Sequence, residues 1–317
     1  MSSLVEVDDL TVQYPVGRTM NVVAVNAVSI SLDAGSVLGL VGESGCGKSS
    51  LGRAIAGIRP PASGRIRVDG RELGDSRRRS DARLVQMVFQ DPSSALNPKL
   101  TIGSMITELL LVHGLVPDRA AARSRAEELM TSVELPASAL DRRPDALSGG
   151  QRQRVGIARA LALEPKVLIA DEAVAALDTI VKASIVALLA RLRNELGLSI
   201  LFISHDLGVV KQLCDEIAVM YLGRIVERRR TQDLFSSPRH PYTAALLAAR
   251  PRIGQRLDIS TPPALAGDPP SPMDLGEGCA FASRCPRVQD ECREVSPPRI
   301  LGADQQAVSC HFPLTAG

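Results

Sequence analysis

Gly42-Glu43-Ser44-Gly45-Cys46-Gly47-Lys48-Ser49-Ser50 is the stretch of this chain best suited to chemistry. It fits the phosphate-binding P-loop pattern. Its glycines let successive backbone N–H groups turn inward around a triphosphate, and a helix starting at its end adds a favourable dipole for anions. In that arrangement Lys48 reaches the β- and γ-phosphates and the Ser49 hydroxyl ligates Mg²⁺. A chance glycine-rich turn is the bland alternative, but an apolar run before the loop and a helical pattern after it argue against that. Asp171-Glu172 closes a second apolar run. There Asp171 can join the Mg²⁺ shell and Glu172 can polarise an attacking water, although an acidic pair at a strand end is commonly just solvated. His205 ends a third apolar run, placed to hydrogen-bond the γ-phosphate or that water. A lone histidine is more often structural, so its position carries the weight.

These residues need a frame that gathers strand ends. Val37-Leu38-Gly39-Leu40-Val41, Val167-Leu168-Ile169-Ala170 and Ile200-Leu201-Phe202-Ile203 are short, continuous apolar runs, as expected of strands buried on both faces. Between the last two, Val181, Ile185, Leu188, Leu189, Leu192 and Leu196 recur at helical spacing on one face. Strand, helix, strand implies a parallel sheet with crossover helices, an α/β fold. Residues 102–163 carry helical patterning broken by Pro117, Pro136 and Pro144, and read as a helical insertion. Arg77-Arg78-Arg79 and Arg228-Arg229-Arg230 read as solvated turns or strand ends. From residue 236 prolines crowd the sequence, which predicts a linker or an extended, poorly helical appendage.

The 317 residues suffice for two compact units or one large one. A net charge of +2 is too small for a surface devoted to nucleic-acid phosphates, so no nucleic-acid partner is expected. No apolar run approaches the roughly 18 residues of a membrane span. Glu6, Asp8 and Asp9 stand where a secretory leader would be basic and then apolar. A soluble intracellular protein is expected, doing any membrane work through partners. With no Trp, 3 Tyr and 5 Phe, the core must come mainly from Val, Leu, Ile and Ala.

Leu147-Ser148-Gly149-Gly150-Gln151, followed by a helical run, resembles the signature sequence of the ATP-binding cassette (ABC) ATPases. In that family this helix start binds the γ-phosphate of ATP held by the facing subunit, and a second N–H-rich helix start is indeed an anion site. The other family elements stand in order: Tyr14 as the aromatic that stacks on adenine, the P-loop, Gln90 in the Q-loop, Asp171 and Glu172, Ala176-Leu177-Asp178 as D-loop, and His205 as switch histidine. The resemblance implies an ABC-type P-loop nucleotide-binding domain with a helical subdomain over about residues 91–163. It implies ATP and Mg²⁺ as cofactors, with Mg²⁺ held through Ser49, Gln90 and Asp171, and Glu172 and His205 as catalytic residues. Ala173 stands where the family commonly has Pro, and Ala175 where it has Ser or Thr. These departures bear on rigidity and hydrolysis rate, not on nucleotide binding.

Phe89-Gln90-Asp91-Pro92-Ser93-Ser94-Ala95-Leu96-Asn97-Pro98, His240-Pro241-Tyr242-Thr243, Gly267-Asp268-Pro269-Pro270 and Gly278-Cys279-Ala280-Phe281 with Arg284-Cys285-Pro286 are similar to segments of oligopeptide, dipeptide and nickel-type importer ATPases. This divides the chain into an ATPase domain, 1–235, and a small Cys/Pro-rich C-terminal extension, 236–317. It implies a peripheral subunit at the cytoplasmic face of the plasma membrane, powering uptake of di- and oligopeptides. Its partners would be two transmembrane permease subunits, a second ABC ATPase subunit (identical or not) and an extracellular solute-binding protein. Import of nickel chelates or other small solutes, a non-transport soluble ABC ATPase, and a metal-sensing switch are the alternatives.

Cys46 and Cys214 are isolated, whereas Cys279, Cys285, Cys292 and Cys310 cluster. A cytosolic setting disfavours disulfides and favours a metal site. Zinc fingers and ribbons prefer cysteine pairs two to four residues apart, which this set lacks. A [4Fe–4S] cluster uses Cys₄ ligation at varied spacing and would order a segment poor in large apolar residues. Members of the resembled importer family with this cysteine set are similarly linked to an iron–sulfur cluster. His311, beside Cys310, reads as a bystander.

Overall fold

Five consecutive buried residues with no polar alternation leave β3 (Val37–Val41) nowhere to sit but inside a sheet covered on both faces. The computed structural model describes residues 3–17, 20–74, 79–175, 177–249, 267–271, 276–301 and 306–315. Before β3 run two long strands, β1 (Ser3–Val16) and β2 (Met20–Asp33). After it come α1 (Lys48–Ile55), β4 (Ser63–Val68), β5 (Arg71–Glu72), α2 (Arg79–Leu84) and β6 (Val85–Val88). The antiparallel sheet has the order β2-β1-β4-β5.

The helical stretch follows: α3 (Ile102–Val112), α4 (Arg119–Ser132) and α5 (Gly149–Leu161), separated by short 3₁₀ turns at Ala137–Asp141 and Pro144–Ala146. Each helix opens on a side-chain cap, from Thr101, Asp118 and Ser148, which satisfies an N–H left bare at a helix start. Next come β7 (Val167–Asp171), α6 (Thr179–Leu196), β8 (Ser199–Ile203), α7 (Leu207–Leu213), β9 (Glu216–Tyr221), β10 (Arg224–Arg230), α8 (Thr231–Ser236) and α9 (Pro241–Ala248). The C-terminal segment adds α10 (Asp290–Glu294), β11 (Arg299–Leu301) and β12 (Ala307–Ser309).

The main sheet has the order β11-β12-β10-β9-β3-β8-β7-β6. From β9 to β6 its strands are parallel, whereas β10, β12 and β11 run antiparallel at one edge. Side chains alternate between its faces with the strand period of two. Leu38, Leu40, Val167, Ile169, Leu201 and Ile203 pack toward α1 and the antiparallel sheet. Val37, Val41, Leu168, Ala170, Ile200 and Phe202 pack toward α6 and the helical stretch. Register pairs Leu40 with Ile203, Ala170 with Phe202 and Val88 with Ala170, so the carboxyl ends of β3, β6, β7 and β8 share one edge.

The structure departs from sequence expectation in three places. Leu196 is 56% exposed, because it is the last residue of α6 before the Gly197 cap, while Val186 is buried instead. Arg228 is buried, not solvated: β10 lies between β9 and β12, and Arg228 donates to the Glu216 carboxylate at 2.6 and 3.0 Å and to Ser31 Oγ at 2.8 Å. The segment after residue 236 holds a regular helix, α9, because Pro241 sits in its first turn, where a missing N–H costs nothing. That segment meets the core through a stack of Tyr221, Tyr242 and Phe281 with ring centroids 4.6–5.4 Å apart. Most of the proline-rich linker, with Arg77, Arg78 and Ala176, lies outside the described residues.

His240 caps α9 by accepting the Tyr242 N–H on Nδ1 at 3.0 Å, and burial pushes its pKa down to about 4. The folded chain therefore refuses a proton that the unfolded chain accepts below about pH 6.5. Stability contributed by neutral His240 is whole above that pH and lost as pH falls toward 4, up to about 3 kcal/mol. His240→Asn keeps a cap acceptor and removes the titration. Denaturant unfolding at pH 7 and pH 4.5 should show the wild type losing more stability than His240→Asn.

Candidate functional site

The loop between β3 and α1 is held open by two close backbone approaches. At Gly42 (φ +154) a Cβ would stand 2.1 Å from the Met220 carbonyl oxygen, and at Gly47 (φ +104) it would stand 2.1 Å from that of Ala24. Only glycine fits either position. The loop thus lies between β9 and β2 and curls around the Lys48 side chain. That side chain is 4% exposed, and its ammonium donates to the carbonyls of Gly42 at 2.9 Å and Glu43 at 2.8 Å. Cys46 is buried beneath the loop, and burial pushes its thiol pKa up despite the nearby Lys48. Ser49 and Ser50 lie in the first turn of α1. A glycine-rich loop, a helix start and a cation that can exchange carbonyls for phosphates suit this loop to an anion.

Asp171 ends β7 beside this loop. Ser49 Oγ donates to Asp171 Oδ1 at 2.8 Å, which places two oxygen ligands side by side, one from the start of α1 and one from the end of β7. Burial pushes the Asp171 carboxyl up, opposed by the Ser49 hydrogen bond. A cation at this point relieves that desolvation, so the pair suits a hard divalent ion. Glu172 turns out of the strand with φ +46, and its N–H donates to the Ile203 carbonyl at 2.9 Å. Its carboxylate lies 3.4 Å from His205 Nδ1, with the two side chains 18% and 58% exposed. Together they can hold a water at the open edge of the sheet. Gln90, exposed, follows β6 by two residues at the same edge.

A second group assembles elsewhere. Ser148 Oγ accepts the Gln151 N–H at 3.3 Å and Gln151 Oε1 accepts the Ser148 N–H at 3.0 Å, a reciprocal capping box that opens α5. Gly150 packs so tightly on α6 that a Cβ would meet Val181 Cγ1 at 2.5 Å, and Leu177 lies against Gly149. Asp178 caps α6 through the N–H groups of Ile180 and Val181. Ser148, Gly149, Gly150 and Gln151 therefore neighbour the start of α6, and Ser49, Asp171, Glu172 and His205 form a separate group. Tyr14, in β1, carries the Arg59 guanidinium over one ring face at 4.6 Å. Ala173 is buried, and the Ala175 N–H bonds the Glu172 carbonyl at 3.0 Å.

Cys279, Cys285, Cys292 and Cys310 line one small cavity with His240, Phe281 and His311. Burial raises the thiol pKa of Cys279 and Cys285, and that of Cys310 to about 11, with the neighbouring cysteines adding to it. Among the described residues no group of three or more His, Cys, Asp or Glu is arranged to hold a metal ion. Two residues at the loop escape sequence reasoning. Tyr242 Oη accepts the Glu43 N–H at 3.0 Å, and Arg284 grips the Glu43 carboxylate at 2.7 and 3.0 Å. The residues lie far apart along the chain, so no local pattern announces the contact.

A parallel α/β core with a P-loop at one strand edge, an acidic pair at the next and a helical insertion opening on Ser-Gly-Gly-Gln defines an ABC-type ATPase. Residues 25–175 match the ABC transporter family, and residues 226–292 match the oligopeptide/dipeptide transporter C-terminal region. Among solved structures, the chain is similar to a dimeric ATP-binding cassette bound to ADP and phosphate after hydrolysis. That match has a TM-score of 0.64 and 27% identity, over 72% of this chain and 98% of that one. The di/tripeptide transport ATP-binding protein DppF of Pseudomonas aeruginosa is 42% identical over 98% of both chains. The dipeptide transport ATP-binding protein DppF of Escherichia coli is 42% identical over 97% of this chain and 93% of its own. This chain belongs to the ATP-binding proteins of the oligopeptide/dipeptide ABC transporter family.

Gly47→Ala would place a methyl against the Ala24 carbonyl at an unfavourable φ, whereas the Cβ of a Gly45→Ala chain meets nothing within 4 Å. Urea unfolding should show Gly47→Ala losing about 2 kcal/mol or more and Gly45→Ala, strained by φ alone, less.

Proposed function

We propose that this chain is the ATP-hydrolysing subunit that powers import of di- and oligopeptides across the plasma membrane. One observation carries the reading: the P-loop stands against the Ser49–Asp171 pair and the Glu172–His205 pair in a chain similar to peptide-transport ATP-binding proteins over nearly its full length. The backbone of residues 42–50 receives the triphosphate, and Lys48 leaves the Gly42 and Glu43 carbonyls for its β- and γ-oxygens. Ser49, Asp171 and Gln90 would hold Mg²⁺, which when bound would supply positive charge to the phosphates. Glu172 accepts a hydrogen bond, and then the proton, from the attacking water, and His205 orients that water.

In this reading the Ser148–Gln151 helix start faces the nucleotide of a second ATPase subunit, since it neighbours α6 and not its own P-loop. Asp178 lies at the same seam and Tyr14 beside the adenine. The apolar hollow beside Gln90, lined by Met87, Phe89, Pro92 and Ala95, receives one of two permease subunits. The complex works with an extracellular solute-binding protein, with this chain peripheral on the cytoplasmic face. No helix among the described residues is long and apolar enough to cross a membrane, which accords with a subunit that leaves the crossing to permeases. The ATPase domain spans 1–235, with its helical subdomain at about 91–163, and the extension spans 236–317.

In the assembled transporter reconstituted in liposomes, Glu172→Gln should keep ATP binding and lower turnover about a hundredfold or more, because it removes a charge used only when water attacks. Near wild-type turnover would overturn the assignment.

We propose further that Cys279, Cys285, Cys292 and Cys310, which line one small cavity but form no group arranged for a single metal ion, hold a [4Fe–4S] cluster. In such a cluster each thiolate would bind a different iron, so the four would not need to converge on one point as four zinc ligands must. Bound there, the cluster supplies cross-links that order a segment with little core of its own. Anaerobic purification should give a brown protein with absorbance near ~400 nm and about four irons per chain. A colourless preparation with stoichiometric zinc, or with four free thiols and no metal, would sink it.

A further inference from the structure

Glu43 is an odd residue for a loop that receives polyanions. It follows the first glycine of the cradle, and its carbonyl already accepts the Lys48 ammonium at 2.8 Å. A carboxylate here repels a triphosphate unless something neutralises it. That something comes from the far end of the chain. Arg284 Nη1 donates to Glu43 Oε2 at 2.7 Å and Nη2 donates to Oε1 at 3.0 Å, a two-pronged pair that fixes the carboxylate plane as well as its charge. The pair is sheltered, with the Arg284 side chain 6% and the Glu43 side chain 24% exposed, so solvent screens it little.

The grip extends to the backbone. The Glu43 N–H donates to Tyr242 Oη at 3.0 Å. Arg284 Nη1 also reaches Tyr221 Oη at 3.3 Å. Tyr221 ends β9, Tyr242 lies in α9, and Phe281 packs its ring against both at 5.3 and 5.4 Å. The arginine therefore projects from a stacked aromatic base, in the 3₁₀ turn Ala282–Arg284, not from a free tail.

We propose that Arg284 is a positioning residue for nucleotide binding: from the C-terminal extension it fixes Glu43 and cancels its charge, so that the extension completes the phosphate cradle of its own chain. The inference rests on the nucleotide reading of residues 42–50. The ligand it serves is the charged phosphate tail, so its effect grows with the number of phosphates. Removing Arg284 leaves a sheltered carboxylate unpaired beside the phosphates, and neutralising Glu43 as well removes the repulsion again.

The test is equilibrium binding to the full chain, with Mg²⁺ and a fluorescent ATP analogue displaced by ATP or AMP, alongside thermal unfolding without nucleotide. Arg284→Ala should weaken ATP binding about tenfold and AMP binding much less, and high salt should narrow that gap. The double variant Arg284→Ala/Glu43→Gln should recover most of the lost ATP affinity. Lys48→Ala is the control for the loop itself. If Lys48→Ala loses ATP binding while Arg284→Ala stays within about twofold of wild type, this inference fails and the loop reading stands. If Lys48→Ala binds ATP as the wild type does, the loop reading fails. Equal weakening for ATP and AMP, with no recovery in the double variant, would reduce Arg284 to a structural strut and overturn the proposal. Should Arg284→Ala fail to fold, Arg284→Lys decides. It keeps the charge and loses the fork, so an ATP-selective loss of about threefold supports the proposal and an unchanged affinity overturns it.

Discussion

Two carbonyl oxygens, of Met220 and Ala24, press on the phosphate loop at Gly42 and Gly47, and most of the site follows from that squeeze. The carbonyls belong to different sheets, so the loop acts as the bolt between the antiparallel sheet and the parallel core. A loop confined this way is held around the Lys48 side chain, which fills the space within it. Because β7 lies one strand beyond β8, the same edge that ends in the loop also ends in Asp171 and Glu172. The Ser49–Asp171 hydrogen bond is the direct consequence.

Several charges of this chain, at the loop and away from it, sit where burial would penalise them if they stood alone. Lys48 is met by two carbonyls, Arg228 by Glu216, and Glu43 by Arg284. Asp171 is the exception in degree: a hydroxyl is its near partner, and burial wins over that hydrogen bond in pushing its carboxyl up. A buried carboxylate with a hydroxyl beside it and an anion cradle in front invites a divalent cation. Electrostatic strain in the free protein and cation binding are two aspects of one arrangement.

The C-terminal extension solves a different problem. It is short and has few large apolar residues, so it borrows order from the sheet it lies on. β12 covers the edge of β10, Glu227 accepts the N–H groups of Arg239 and His240 at 2.8 Å, and three aromatic rings stack between extension and core. An open sheet edge is thereby closed, and the extension is pinned close enough to touch the phosphate loop.

The local patterns were legible in the sequence, because each depends on residues close together along the chain. Continuous apolar runs foretold β3, β7 and β8, and Gly42 to Ser50 foretold the strand–loop–helix turn. Leu147 to Gln151 foretold the start of α5, and the structure showed the Ser148–Gln151 capping box that opens it. Where a pattern meets its boundary the reading slipped, as with Leu196 at the end of α6 and Pro241 opening α9. What only the tertiary structure decided are meetings between distant segments. Arg228 looked like a solvated cation until β12 lay beside β10 and buried it. Glu43 carried no reading of its own in the sequence, and the structure shows Arg284 gripping it. Nothing local in a sequence encodes which side chain will arrive from more than two hundred residues away; sheet order and the direction of the last turns settle that.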